Sequence, residues 1–259
     1  MKKFLFDASL CNGCYGCQFI CKDEHCGNDW SPYAAKQPVS GQFWCKLEQE
    51  DRGKVPEVKI NYKPVMGAQN EKIREYAPEV LMEREDGLIV IDTEKAKGRK
   101  DIADKFEGVY WNEELQLPQG CTGCAHLLDD GWSVPRCVDI CATGALQYVD
   151  EEDLPENAEP SCEGSHMYYV NYPKRWVYGC FVDRQKNEVL IGADAKLLDD
   201  SGTEVTALKT DDFGEFRFKE LEDKPYKVVL SADGYKEETL IADTSEEDVV
   251  LGDIFATVA

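Results

Sequence analysis

Cys11-Asn12-Gly13-Cys14-Tyr15-Gly16-Cys17-Gln18-Phe19-Ile20-Cys21 decides how this chain is read. Two residues separate each of its first three cysteines, and three separate the third from the fourth. A second set answers it far downstream: Cys121 and Cys124 two residues apart, then twelve residues to Cys137, then three to Cys141. Thiols at such short fixed intervals wrap a compact inorganic centre. Gly13 and Gly16 stand inside the first loop, where a backbone without side-chain bulk can curl closely around that centre.

The first spacing is that of a bacterial ferredoxin run, in which three cysteines hold one iron–sulfur cluster and the fourth crosses to another. A cubane presents four irons at the corners of a tetrahedron, each wanting one thiolate. A short loop reaches only three of them. Cys21 lies about one helical turn past Cys17, so it points along a helix toward a neighbouring site. This logic assigns Cys11, Cys14, Cys17 and Cys141 to one [4Fe-4S] cluster. It assigns Cys121, Cys124, Cys137 and Cys21 to a second. Two other readings stay open. A tetrahedral zinc site from Cys11, Cys14, Cys121 and Cys124 leaves the other four thiols of the runs without a role. A disulfide framework suits small secreted chains better than one of 259 residues.

The length fits one large or two modest domains. A net charge of -22, from 51 acidic and 29 basic residues, argues against nucleic acid and against an anionic membrane surface. No apolar run is long enough to span a bilayer. Met1-Lys2-Lys3-Phe4-Leu5-Phe6-Asp7 starts like a signal peptide, but Asp7 ends the apolar run too early. The expected location is the cytoplasm, with export folded beside a signal-bearing partner left open.

Along the chain, residues 3–7 read as a strand, 19–25 as a helix, and 28–42 as irregular, punctuated by Pro32, Pro38 and Gly41. Strands are expected over 43–48, 87–92, 109–112 and 145–149, with an extended run over 56–64. A mildly helical stretch over 65–77 and an amphipathic helix over 94–106 complete the first part. Residues 150–165 are acidic and rich in turn formers, and the first domain is expected to end there. Residues 167–178, rich in tyrosine, are expected to pack between domains. Beyond them, seven strands are expected over 177–183, 189–198, 203–209, 213–218, 226–231, 237–242 and 248–254, separated by turns such as Asp199-Asp200-Ser201-Gly202. Such spacing predicts a sandwich. The fold class is therefore an α+β ferredoxin-like double-cluster domain over residues 1–165, followed by an all-β immunoglobulin-like sandwich over 166–259.

The two cysteine sets, with Asp7 before the first and Thr143-Gly144-Ala145-Leu146 after the last, resemble the iron–sulfur subunit of molybdopterin oxidoreductases. The likeness narrows at Glu24-His25, Asn61-Tyr62-Lys63-Pro64, Arg84-Glu85-Asp86-Gly87, Glu94-Lys95-Ala96-Lys97-Gly98, Tyr110-Trp111-Asn112-Glu113-Glu114, Thr122-Gly123 with Ala125-His126-Leu127-Leu128-Asp129-Asp130, and Phe213-Gly214-Glu215-Phe216. These resemble the small subunits of pyrogallol–phloroglucinol transhydroxylases, with which those of reductive catechol dehydroxylases group. The family carries further cysteines between the two sets. Here residues 65–80 and 105–108 have none, so the middle clusters should be missing. Proline usually follows the fourth cysteine of each run; Lys22 and Ala142 stand there instead. The resemblance implies a large partner subunit that holds molybdenum or tungsten on a pterin and binds a polyhydroxylated aromatic. This chain would relay single electrons to it from an external donor. A structural small subunit whose clusters or zinc ions only stabilise the partner is the alternative.

Four cysteines fall outside the runs: Cys26, Cys45, Cys162 and Cys180. They are expected to be buried free thiols acting as small apolar groups, with a substituted cluster ligand as the alternative. His25 and His126 lie near the cluster loops, as ordinary hydrogen-bonded histidines or as donors to cluster sulfur. Tyr15 and Phe19 are expected to shield the first cluster, and Trp44, Trp111 and Trp132 to lie in the core. No catalytic triad, phosphate loop or paired carboxylate stands out. Any active site is expected in the partner.

Overall fold

In the computed structural model, the N-terminal apolar run forms strand β1 (Lys2–Asp7) and feeds the first cysteine loop. Residues 1–30, 33–35 and 41–259 are described. Pro32 and Pro38, two of the expected breaks, lie outside them. Helix α1 (Gly16–His25) carries Cys17 and Cys21. A hairpin follows, β2 (Cys45–Lys54) and β3 (Glu57–Met66). Next come α2 (Glu71–Tyr76), the hairpin β4 (Leu81–Glu83) with β5 (Ile89–Ile91), α3 (Lys100–Lys105), and the hairpin β6 (Tyr110–Asn112) with β7 (Leu117–Gln119). In the second cysteine set Cys124 precedes α4 (Ala125–Asp129) as its N-cap, Cys137 lies in α5 (Arg136–Asp139), and Cys121 and Cys141 flank the two helices. Strands β8 (Leu146–Asp150), β9 (Glu159–Pro160) and β10 (Met167–Val170) close the first part.

Two compact units result: Met1–Gln49 with Tyr62–Tyr172, and Glu50–Asn61 with Pro173–Ala259. The first is built on a sheet of order β8-β1-β10-β9, with β1 antiparallel to β8 and parallel to β10. Alternation along β1 sends Phe4 and Phe6 into a core shared with Cys21, Cys121 and Cys137. The sheet also explains how the two cysteine runs meet. The Asp7 N–H donates to the Ala145 carbonyl at 2.8 Å, which holds the exit of β1 beside the entry to β8. The loop after β1 thus lies against the turn before β8. Helix α1 packs on α5.

Two expectations are corrected here. The helix expected over 94–106 is a series of turns followed by the short α3. Gly98 breaks it, at φ +77° and with its N–H bonded to the Gln116 carbonyl. Asp92 accepts the N–H groups of Glu94 and Lys95 and fixes the first turn instead. The domain boundary expected at 165/166 lies between Tyr172 and Pro173. Phe4 to Asp7 pair with Met167 to Val170, which ties residues 167–170 to the first unit.

The second unit holds eight strands: β11 (Arg175–Asp183), β12 (Glu188–Val189), β13 (Asp194–Leu198), β14 (Glu204–Lys209), β15 (Glu215–Leu221), β16 (Pro225–Ser231), β17 (Glu238–Asp243) and β18 (Val249–Phe255). The single strand expected over 189–198 is split, because Gly192 turns the chain at φ +71°. One sheet runs β12-β11-β15, with β18 parallel to β11; the other runs β14-β13-β16-β17. Period-two burial aims Ala195, Leu197, Val228 and Leu230 from one sheet at Val177, Phe181, Phe216 and Phe218 from the other. The two sheets form a β-sandwich around that core. The hairpin tip joins this unit through Arg52. Its guanidinium grips Asp248 with two bonds of 2.6 Å and donates to the carbonyls of Pro173 and Lys174.

Candidate iron–sulfur centres

Cys11, Cys14, Cys17 and Cys141 line one cavity, whose wall also includes Phe6, Tyr15, Leu47, Pro64, Ile140 and Leu146. The loop winds around it through left-handed residues, Gly13 at φ +68° and Tyr15 at φ +60°. Only glycine fits the first position, since a Cβ there would lie 2.1 Å from the Tyr62 ring. Burial pushes the Cys11 thiol up, and Cys17, Cys14 and Cys141 add like-charge repulsion. The Gly13 N–H opposes this at Cys11. The Leu146 N–H donates to the Cys141 sulfur at 3.2 Å.

The second set is more deeply buried. Cys21, on α1, faces Cys121, Cys124 and Cys137, and all four are at most 7% exposed. Burial drives Cys21 well above the ordinary thiol range, with those three neighbours adding to it. Cys121 is pushed up to about 12, first by burial and then by Cys137. Gly123 N–H donates to the Cys121 sulfur at 3.4 Å, and Gly123 and Cys124 are both left-handed. Leu88 packs so closely on Gly123 that a Cβ would fall 2.5 Å from its methyl group.

Each run therefore contributes three thiols to its own group and one to the other. This is the arrangement a pair of cubanes requires, and the buried thiols need a cationic centre before they can ionise together. The surrounding N–H groups are suited to sulfur that carries negative charge. Neither alternative has matching geometry. Zinc binds thiolate at about 2.3 Å, so its ligands must converge tightly. Cys11 and Cys14 sit with Cys17 and Cys141 instead of with Cys121 and Cys124. All twelve cysteines are free.

The residues around the second set differ from a satisfied apolar shell. His25 Nδ1 lies 2.8 Å from the Cys21 carbonyl. A carbonyl only accepts, so Nδ1 carries the proton and Nε2 keeps a lone pair. That Nε2 is buried without a partner among the described residues, as are Trp44 Nε1, Thr122 Oγ1 and His126 Nδ1. His126 uses its other nitrogen on Glu24, at 3.2 Å. Trp44 is in the core as expected, but Trp132 is 41% exposed beneath Arg136. Tyr15 lines the first cavity, whereas Phe19 is 60% exposed against Phe43 and shields little. Of the four extra cysteines only Cys45 is buried; Cys26 is exposed, and Cys162 and Cys180 are part-buried. Residues such as Lys63, Gln69, Glu71, Lys72 and Lys105 line a polar cleft of about 340 Å³.

Residues 68–151 match the 4Fe-4S dicluster domain family, so the chain carries an iron–sulfur domain of that class. The chain is 34% identical over 265 residues to the pyrogallol hydroxytransferase small subunit of Pelobacter acidigallici, an alignment spanning 93% of this chain and 95% of that one. It belongs to that small-subunit family. Two more distant relatives are themselves components of larger reductases. One is a tetrathionate reductase subunit of Salmonella typhimurium, 27% identical over 58% of each protein. The other is an anaerobic dimethyl sulfoxide reductase chain of Escherichia coli, 27% identical over 58% of this chain and 74% of that one. No helix among the described residues is long and apolar enough to cross a membrane.

Proposed function

We propose that this chain is the electron-transferring small subunit of a heteromeric molybdopterin enzyme acting on polyhydroxylated aromatics, of the reductive catechol dehydroxylase or transhydroxylase type. Cys11, Cys14, Cys17 and Cys141 hold one [4Fe-4S] cluster; Cys121, Cys124, Cys137 and Cys21 hold the other. When bound, the clusters supply one-electron chemistry. The chain's own residues hold them, exclude water and set their charge environment. The partner is a large subunit that carries molybdenum or tungsten on a pterin and does the bond chemistry. Reductive dehydroxylation consumes two electrons, which this chain relays from an external donor. The ferredoxin-like pairing of the cysteine loops and the immunoglobulin-like form of the sandwich are parts of the same reading.

The observation that carries it is the exchange of fourth thiols, Cys141 beside the first loop and Cys21 beside the second. The relatives are named as subunits or chains of larger enzymes, which supports the partner. Iron and acid-labile sulfide analysis of anaerobically purified protein tests the cofactor. About eight of each per chain are expected for two cubanes. Redox titration followed by electron paramagnetic resonance tests the relay. Clusters that keep one oxidation state with both donor and substrate present would reduce them to structural staples. Copurification with a large pterin-binding protein tests the partner.

A further inference from the structure

Cys45 opens β2 and falls in neither cysteine run. It is 1% exposed and sits in the core that buries Cys21, Cys121 and Cys137, with Cys11, Cys17 and Cys141 packed against it. Its sulfur lies within hydrogen-bond reach of Cys17 and of Cys137, one member of each group. Its N–H serves the sulfur of Cys21. The backbone around it is pinned on both sides. Gln18, on α1, accepts the Leu47 N–H at 2.9 Å, and the Trp44 carbonyl accepts the Gly67 N–H at 3.4 Å.

On the two-cluster reading above, Cys17 and Cys137 are iron ligands. A coordinated thiol is deprotonated outright, so each becomes an acceptor only. Cys45 has no iron to bind and keeps its proton. It is then the one donor of the three sulfurs. We propose that Cys45 is a positioning residue that shares a single S–H donor between the two clusters and so couples their reduction. A thiol offers one proton, which serves one acceptor well at a time. An added electron enriches negative charge on the thiolates of the cluster that receives it, and the S–H turns toward that side. The other cluster loses the donor and becomes harder to reduce. No bond to sulfur forms or breaks; only the S–H direction changes.

The test compares the full-length wild type with Cys45→Ala and Cys45→Ser, all purified anaerobically. Iron and sulfide are measured first, then each protein is titrated under electron paramagnetic resonance. Equal iron in all three is expected. Cys45→Ala should lower the potential of the first reduction, leave the second nearly in place, and narrow the gap between them. Cys45→Ser keeps an O–H donor and should stay near wild type. The proposal fails if Cys45→Ala titrates like wild type. It also fails if Cys45→Ser moves as far as Cys45→Ala, which would mean a packing role. Loss of about half the iron in Cys45→Ala would make Cys45 a ligand and overturn it as well. A wild type without iron overturns the two-cluster reading on which it rests.

Discussion

Cys141 and Cys21 carry the sharpest residue-scale test. Cys141→Ala should remove the cluster held by the first loop and spare the second, although Cys141 lies in sequence within the second run. Cys21→Ala should do the reverse. Iron content near half of wild type in each, with different surviving resonances, is the expected result; loss of the same cluster in both would break the crossed assignment. His25 gives a test in pH. Burial holds its imidazole down to about 4. Above pH 6.5 both folded and unfolded states are neutral, and its full contribution is present. As pH falls toward 4 the unfolded state binds a proton that the folded state refuses, so stability is lost at up to about 1.4 kcal/mol per pH unit. Urea midpoints at pH 7 and pH 5 should differ less in His25→Gln than in wild type. The two groups into which the eight cysteines of the runs gather were legible from spacing, because short fixed intervals keep three thiols of one loop together and turn the fourth away. Cys45 was not, since a lone cysteine at a strand start has no periodic signal and acquires meaning only from what folds against it. The unpartnered nitrogens of His25 and Trp44 were equally hidden, because residue type says nothing about which atoms find partners.

Elements divide along the same line between local and distant causes. Strand β1 and helix α1 were readable, each from a short run with its own apolar or cysteine pattern. The parallel pairing of β1 with β10 joins residues more than 150 apart and leaves no local trace. This is why the boundary was placed too early. The β2–β3 hairpin is the other such case. Its sequence gives two extended runs, but its tip is fixed by Arg52 and Asp248, which are 7% and 1% exposed in their side chains. Asp248 also accepts the Trp176 N–H at 3.2 Å. Arg52→Met strands a buried carboxylate, a loss of about 3–5 kcal/mol in comparable sites. Arg52→Met combined with Asp248→Leu should recover much of it, because an apolar pair leaves no charge buried alone. Chemical denaturation of the three proteins checks both statements; equal loss in single and double variants would show that the hairpin is held by packing alone. Gly179, in the middle of β11, is a second point of tight fit. A Cβ there would lie 2.6 Å from the Phe216 ring. Gly179→Ala should lower the melting temperature without changing iron content.

The whole molecule combines two units that meet the cost of folding by different means. The core of the first is interleaved with thiols: Cys21, Cys45, Cys121 and Cys137 are buried in it, and Cys11, Cys17 and Cys141 pack against it. The core of the second contains no cysteine; Phe181, Phe216, Phe218, Leu197 and Leu230 fill it. Metal binding is coupled to folding where the ligands form part of the core. Stripping iron leaves the first unit with a set of thiols that burial keeps protonated and that no centre draws together. The second unit loses nothing of its own. Chelation of the full-length protein should therefore open β1, β8 and α1 to amide hydrogen exchange within the time that β13 and β16 stay protected. Calorimetry of the same apoprotein should retain one cooperative transition. Protection surviving in both units would mean that the first core is self-sufficient and that the thiols are guests in a finished fold. Loss in both would mean that the sandwich leans on the clusters, which its cysteine-free core gives no reason to expect.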